Sequence, residues 1–138
     1  MVRDPLPLDR LKSQVTRARS LLEQPATEAT LDQLEAGVHG AGEAGWMLHE
    51  ALEDGAEIDA ALIQATEVLI CATIRTLPVL QRAELDVLQH LSGGGAVAVE
   101  PAAVRRLAEV RQRSTTATVD LQRGLVVAYE RHFAAVGA

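Results

Sequence analysis

The segment that most constrains the fold is Ala60–Leu80, which reads AALIQATEVLICATIRTLPVL. Only Glu67 and Arg75 are charged in this segment, and apolar side chains cover nearly its whole circumference when it is wound as a helix. A helix that is apolar on all sides either lies among other helices or crosses a membrane, and Gln64, Thr66 and the two charges argue against a bilayer. The sequence therefore predicts a central helix inside a bundle.

Length and composition favour one all-α domain over residues 1–138, an antiparallel bundle of four to five helices with a long C-terminal helix. A chain of 138 residues is long enough for one core and too short for two. Because the chain has one Phe, one Tyr and one Trp, its core must be built from Leu, Val, Ile and Ala. The single cysteine, Cys71, lies in the apolar segment and is expected to be buried.

Helix breakers divide the chain between its periodic segments. The dipeptide Asp54-Gly55 ends the second helix, and Thr76–Pro78 marks a kink or a restart in the central one. The segment Ala96–Val99 has the composition of a short strand but finds no second strand to pair with. We predict an extended lead-in over 1–8, a flexible connection over 92–100, and helices near 8–24, 28–54, 56–77, 78–91 and 101–136.

Charge is distributed unevenly along the chain, whose net charge is −6. Residues 25–74 contain ten acidic and no basic side chains, whereas both flanking regions have more basic than acidic ones. This acidic block is either solvated or packed beside the arginines of its own bundle, or it is a surface for a cationic ligand, a metal ion or a basic protein partner. The start of the chain has no secretory pattern, so we expect a cytoplasmic protein that does not contact a membrane.

The second predicted helix contains four glycines, Gly37, Gly40, Gly42 and Gly45. Each costs about 1 kcal/mol relative to Ala in a helix interior, so the pattern requires a compensating reason. Close approach of another helix is one such reason. A bend near Gly40 that makes room for a ligand is the other.

A mostly polar stripe on the same helix contains Glu35, His39, Gly42, Trp46, His49 and Glu53. The pairs Glu35–His39 and His49–Glu53 have the spacing of two metal ligands, but a metal needs three or four, so no metal and no cofactor are predicted. The stripe can form ordinary helix salt links beside a buried Trp46, or it can line a small-molecule pocket.

The last predicted helix has polar residues on its core face. Arg111, Ser114 and Thr118, with Thr115 at the margin, interrupt a line of apolar side chains. If they are buried, they need partners, because an unpaired buried polar group costs about 1–3 kcal/mol. The partner is either Glu67 or the polar stripe; otherwise Arg111 reaches solvent. We predict an interior ligand site with Arg111 as its anchor, surrounded by Thr115, Thr118, Trp46, His49, His39 and Glu35.

The segment Gly40–Trp46 resembles the glycine-rich stretch that follows the phosphorylated histidine of histidine-phosphotransfer domains. That resemblance implies a helical bundle. The phosphoryl position is occupied by Glu35, however, and Val38-His39 replaces the Lys-Gly of that family. The sequence therefore departs from the family at the reacting residue.

The segment Leu77–Val126 resembles a winged-helix regulator, which implies DNA binding. The interval from Ser114 to Gly124 is too short for a recognition helix, and no wing strands follow. The acidic chain also disfavours nucleic acid. The matching residues are Val87-Leu88, Leu107-Ala108, Ser114–Thr116 and Arg123–Val126.

Three functions follow from these patterns. The first is a non-catalytic helical-bundle protein that binds a protein partner or a small ligand and acts as a homodimer, paired through the small residues Gly37, Gly40, Ala44 and Ala51. The second is a small enzyme or sensor with an interior pocket between the second and last helices, containing Trp46, His49 and Arg111. The third is a degenerate winged-helix DNA-binding regulator.

Overall fold

Four α-helices make up the described part of the chain. The computed structural model describes residues 7–23, 31–92 and 101–137, and no strand occurs within those ranges. The helices are α1 (Pro7–Leu22), α2 (Leu31–Glu53), α3 (Ala60–Ser92) and α4 (Pro101–Gly137). The all-α bundle and its long C-terminal helix are therefore confirmed. The predicted lead-in over 1–8 and connection over 92–100 lie mostly outside the described residues, and the short strand Ala96–Val99 lies wholly outside them. Pro7, Leu8 and Ser92 are described and are helical, so these two predicted boundaries are wrong by one or two residues.

Helices α2 and α4 lie side by side and run in the same direction. Near the start of both helices, Arg106 of α4 donates a hydrogen bond of 2.9 Å from Nε to the carboxylate of Glu35. Near the end of both, Arg131 of α4 donates one of 2.6 Å to the carbonyl of Leu52. The two helices are thus held together at both ends.

Helix α3 packs on another side of α4 and runs antiparallel to it. Arg111 of α4 pairs with Glu84 of α3 at 2.7 Å, and Tyr129 further along α4 donates a hydrogen bond to Glu67, which lies earlier in α3. Helix α1 completes the bundle by packing against α2 and α3, so α2 and α3 lie diagonally across the core. Successive helices alternate in direction.

The core contains aliphatic side chains from all four helices. Leu, Val, Ile and Ala dominate it, as the composition predicts, and two hydroxyl residues, Thr73 and Ser114, are completely buried within it. Each hydroxyl has a hydrogen-bond partner, so the core carries no unpaired polar side chain among the described residues. The largest fully buried apolar side chains are Leu11, Leu48, Leu62, Leu69, Leu80, Leu121, Val15, Val38 and Val110.

The central segment forms one helix through Pro78, so the prediction of two helices divided near Leu77 is wrong. Proline removes one backbone hydrogen bond from a helix interior. The neighbouring turns are held by packing: Thr76 is buried, donates to the Thr73 carbonyl at 2.7 Å and lies 2.9 Å from the Ser114 hydroxyl of α4. The Thr76 hydroxyl thus joins α3 to α4 at the level where the sequence predicted a kink or a restart.

The connection between α2 and α3 has well-formed caps at both ends. Gly55 adopts a positive φ of 78°, and the N–H groups of Gly55 and Ala56 bond to the carbonyls of Leu52 and Ala51, which is the Schellman arrangement. This confirms that Asp54-Gly55 ends α2. Helix α3 begins later than predicted, at Ala60, because Asp59 accepts the Leu62 N–H at 2.8 Å and acts as its N-cap.

The small residues of α2 are used within one chain. A Cβ added to Gly37 would lie 2.5 Å from Leu22 Cδ2 of α1, and one added to Gly40 would lie 3.1 Å from the Cβ of Ala18. Close helix approach is therefore confirmed as the reason for these two glycines. The predicted dimer contact through Gly37, Gly40, Ala44 and Ala51 is wrong, because all four are buried inside the bundle.

Cys71 is exposed, so the prediction that it is buried is also wrong. Helix α3 is apolar around most of its circumference, but α1 and α4 cover only part of it, and Ile74 on the next turn is 42% exposed. Over Ala60–Gln89, α3 is long and apolar enough to cross a membrane, and 44% of its most apolar window is buried in the bundle. Core helices of soluble bundles have the same length and composition.

Candidate functional site

An open groove of about 490 Å³ runs along the surface between α2 and α4, here called the α2/α4 groove. It lies between the second and last helices, where the sequence predicted a pocket, but on the surface instead of in the interior. Helix α2 contributes Val38, His39, Gly42, Glu43 and Trp46 to its walls, and α4 contributes Gln112, Arg113, Thr116, Ala117 and Asp120.

The floor of the groove is unusual because of Gly42. A Cβ built on Gly42 would have no heavy atom within 4 Å, whereas one on Gly45 would lie 3.4 Å from the Cβ of Asp120. The buried side chains of Val38 and Ala117 form the rest of the floor. A glycine in a helix interior costs about 1 kcal/mol relative to alanine, and at Gly42 no packing neighbour accounts for that cost.

Trp46 forms one end of the groove. Its side chain is 66% exposed, which contradicts the expectation of a buried tryptophan. The preceding residue, Gly45, lies against Asp120 of α4, so Trp46 and Asp120 belong to the same end. An exposed indole face and a carboxylate are both groups that attract a cation.

Arg113 lies toward the opposite end of the groove. It precedes Asp120 by two helical turns, which separates their backbones by roughly 10 Å along α4. Arg113 makes no ion pair with any described residue, whereas His39 on the facing wall lies 3.6 Å from Glu43. The groove therefore has a cationic group, Arg113, toward one end and an anionic group, Asp120, at the other, and the carboxylate of Glu43 beside His39 lies between them.

Close contacts between α2 and α4 lie next to the end of the groove that contains Trp46 and Asp120. His49 donates from Nε2–H to the backbone carbonyl of Asp120 at 3.0 Å. One turn later, Gly124 brings α4 close to α2, because an added Cβ would lie 2.6 Å from Leu48 Cδ2. His49 was predicted to line the site and instead fixes the turn of α4 that carries Asp120.

Glu35 lies outside the groove, near the start of α2. It pairs with Arg106, which also bonds to Asp32 one turn earlier on α2. Both hydrogen bonds raise the pKa of the Arg106 guanidinium above its ordinary value, and the bond to Glu35 has a larger effect than the bond to Asp32. Glu35 therefore joins the two helices instead of facing a ligand.

Arg111, Thr115 and Thr118 do not lie near Trp46. Arg111 pairs with Glu84 of α3, and neither Glu67 nor the stripe on α2 is its partner. The Thr115 hydroxyl donates to the Arg111 carbonyl and that of Thr118 to the Ser114 carbonyl, both within α4. The predicted interior cluster is not formed, because these residues lie on the side of α4 that faces α3.

Of the seven predicted site residues, the structure thus brings only His39 and Trp46 to the groove. Sequence reasoning missed the α4 wall, above all Arg113, Thr116 and Asp120. These three share a face beside the buried Ala117, so helical spacing does group them. Helical spacing does not show which neighbouring helix this face of α4 meets. The sequence therefore did not show that the side with Arg113, and not the side with Arg111, lies next to α2.

Other parts of the described structure offer less to a ligand. A hollow of about 520 Å³ lies at the α2–α3 connection, but the Arg131 beside it already bonds to the Leu52 carbonyl. No group of three or more His, Cys, Asp and Glu side chains able to hold a metal ion occurs among the described residues. The α2/α4 groove is therefore the best candidate for a functional site.

Comparisons with protein-family models, with curated proteins and with solved structures each gave no match, so the function must be inferred from this chain's own residues.

Proposed function

We propose that this chain is a non-catalytic binding protein that holds a small zwitterionic organic molecule in the α2/α4 groove. The ammonium end of the ligand lies against the face of Trp46 and the carboxylate of Asp120. Its carboxylate end pairs with Arg113, and its apolar middle crosses Gly42. The lining residues and the arrangement of the two charged ends support this assignment.

The observation that carries the proposal is the open space above Gly42. A ligand that lies directly on the helix backbone requires a residue without a side chain, which is why glycine marks close backbone approach. Gly37, Gly40 and Gly45 have protein neighbours that play this part. A ligand above Gly42 would be the missing neighbour.

The charges set the chemical class of the ligand. Arg113 presents several donors in a plane and suits a carboxylate, and a cation over an exposed indole gains about 0.5–1 kcal/mol. Because the backbones of Arg113 and Asp120 are roughly 10 Å apart along α4, a linear ω-amino acid fits better than an α-amino acid, whose charges are adjacent. In an open groove we expect a dissociation constant on the order of 0.1–1 mM.

Binding fits the groove better than catalysis. Thr116, a hydroxyl residue in the groove, makes no side-chain hydrogen bond to any described residue, and a hydroxyl nucleophile needs an adjacent base. The winged-helix alternative is also disfavoured. Helix α4 continues unbroken from Pro101 to Gly137, through the interval where that fold would separate its helices.

Titration of the intrinsic fluorescence of Trp46 tests this proposal. Trp46 is the only tryptophan in the chain, so a change in its emission reports on the groove. The probe is 6-aminohexanoate, whose charged ends are roughly 8 Å apart in the extended form. Hexanoate and hexylamine, which each lack one of the two charges, are the matched controls. We expect 6-aminohexanoate to bind at least about 5-fold more tightly than either.

Two variants assign the charges. Arg113→Gln should reduce the affinity for 6-aminohexanoate to that for hexylamine, and Asp120→Asn should reduce it to that for hexanoate. Arg105→Gln removes a similarly exposed arginine of α4 outside the groove and should leave binding unchanged. Saturable binding that is equally strong for all three compounds would contradict the zwitterion assignment, and no binding at 10 mM would contradict the proposed function.

A further inference from the structure

The outer surface of α4 carries a line of exposed apolar side chains. Val119, Val126 and Phe133 follow one another at seven-residue intervals and are 39%, 56% and 65% exposed. Seven residues make nearly two helical turns, so the three lie along one side of the helix over about 21 Å. They are here called the α4 stripe.

The α4 stripe lies on the side of α4 next to α3. Tyr129 stacks on Phe133 with ring centroids 5.8 Å apart and donates its hydroxyl hydrogen to Glu67 of α3. Ile74 follows Glu67 by seven residues on α3, is 42% exposed, and lies at the level of Val119. Exposed apolar surface therefore continues from α4 onto α3.

The size of this surface marks it as an interaction site. The stripe and Ile74 together expose apolar side-chain area on the order of 400 Å², and contiguous patches of a few hundred Å² on monomers are often functional. With the flanking polar side chains, two such surfaces would reach the roughly 1,000 Å² that a specific interface needs. The area is at the low end of stable dimers.

We propose that a second copy of this chain docks on the α4 stripe, with the two α4 helices antiparallel about a twofold axis near Val126. In this pairing Val126 meets Val126 of the partner subunit. Val119 and Ile74 meet Phe133 of the partner subunit. The same surface is used by both copies, as a twofold interface requires.

Charges beside the stripe identify a second copy as the partner. Arg123 and Glu130 are exposed, flank Val126 on the same side, and make no ion pair with any described residue. The antiparallel pairing places Arg123 opposite Glu130 of the partner subunit, and the symmetry generates the same pair twice. A surface that complements its own charges on rotation by 180° matches another copy of itself.

Sedimentation equilibrium tests this proposal with the full chain at about 5–200 µM. The weight-average mass should rise from that of the 14.8 kDa chain toward twice that value. Val126→Glu places two carboxylates at the axis and should weaken association at least about 30-fold. Because Val126 is exposed, circular dichroism should show an unchanged helix content. Leu85→Glu, about three helical turns beyond Ile74 on α3 and outside the α4 stripe, is the matched control and should associate like the parent chain.

Charge reversal tests the pairing itself. Arg123→Glu alone and Glu130→Arg alone each place like charges opposite one another and should weaken the dimer about 5- to 10-fold. The double variant Arg123→Glu with Glu130→Arg should restore the parent affinity within about 2-fold. If this surface instead bound a helix of an unrelated protein, the double variant would not restore association.

Three results would overturn the inference. A parent chain that stays at 14.8 kDa up to 200 µM does not use this surface for self-association. A dimer that survives Val126→Glu, or one that Leu85→Glu dissociates instead, uses another surface. A double charge reversal that fails to restore association rules out the antiparallel pairing of Arg123 with Glu130.

Discussion

Glycines lie on two sides of α2, and only on one of these sides does a neighbouring helix fill the space beside both the backbone and the missing side chain. On the side facing α1, Gly37 lies directly against Leu22, so the absence of a side chain lets the two helices approach. On the side facing the α2/α4 groove, Gly42 has open space above it. The same residue type in the same helix thus serves packing in one region, while in the other it leaves room that no described side chain fills. Substitutions at both positions separate these two roles.

Gly37→Ala should have the largest effect on stability. Its methyl group would lie 2.5 Å from Cδ2 and 2.7 Å from Cγ of the buried Leu22, so α1 would have to shift. Overpacking of this kind costs about 1–3 kcal/mol, against a gain of about 1 kcal/mol in helix propensity, so we expect a net loss of about 1 kcal/mol or more. Urea denaturation measures it. An unchanged or higher unfolding free energy would show that the α1/α2 contact is not closely packed.

Asp59→Ala should cost about 1 kcal/mol, because it removes the N-cap of α3. It also breaks the 3.2 Å ion pair between Asp59 and Lys12, which joins the start of α3 to α1. Chemical denaturation of the variant beside Asp54→Ala, an exposed acidic residue at the end of α2, gives the matched comparison. A loss no greater than that of Asp54→Ala would contradict the cap.

The same cap predicts a dependence on pH. Hydrogen bonds from the Leu62 N–H, which has the larger effect, and from Lys12 lower the pKa of Asp59 below its ordinary value of 3.8. Because the folded pKa is below the unfolded one, the unfolded chain binds more protons in acid, and stability rises with pH in this range. The contribution is complete above about pH 4 and is lost as pH falls through the folded pKa. Asp59→Ala should therefore show a smaller loss of stability between pH 5 and pH 2 than the parent chain.

Gly42→Ala should raise stability by about 0.5–1 kcal/mol, the opposite sign to Gly37→Ala. The added methyl group meets no atom within 4 Å, so only the gain in helix propensity remains. Thermal and urea denaturation of the two variants side by side compare the open and closed regions directly. A loss of stability at Gly42 would show that the groove is closed in solution.

Trp46→Phe should have the smallest effect, within about 0.5 kcal/mol, because the side chain is mostly exposed. Binding of 6-aminohexanoate should weaken about 3-fold or more, since Phe attracts a cation less strongly than Trp. Calorimetry measures the binding, because the variant lacks the fluorescent probe. A large loss of stability without a change in binding would place Trp46 in the core instead of in the site.

The sequence predicted the helices better than it predicted their faces. The nearly uncharged apolar segment Ala60–Leu80 and the Asp54-Gly55 breaker placed α3 and the end of α2 close to where they are found. Pro78 was misjudged because local propensity favours a break there, whereas buried contacts of Thr76 with α4 hold one helix together. Packing between helices decides such cases, and one sequence does not contain that information in local form.

The candidate site shows the same limit. Trp46 and His39 could be grouped from their spacing on α2, and Arg113 and Asp120 from theirs on α4. Which side of α4 faces α2 depends on the bundle arrangement, in which α2 and α4 are parallel neighbours and α3 takes the other side. Arg111 was predicted as the anchor because it interrupts the apolar face of α4, but its partner is Glu84 of α3.

Substitution of Gly42 by Leu tests the central claim most directly, because its Cβ meets no atom within 4 Å and its side chain takes up space in the groove. The parent and the Gly42→Leu chain are compared by calorimetric titration with 6-aminohexanoate and by urea denaturation. We predict that Gly42→Leu is at least as stable as the parent and loses binding by more than about 10-fold. A variant that is equally stable and binds 6-aminohexanoate as tightly as the parent would contradict the assignment of the α2/α4 groove as the binding site.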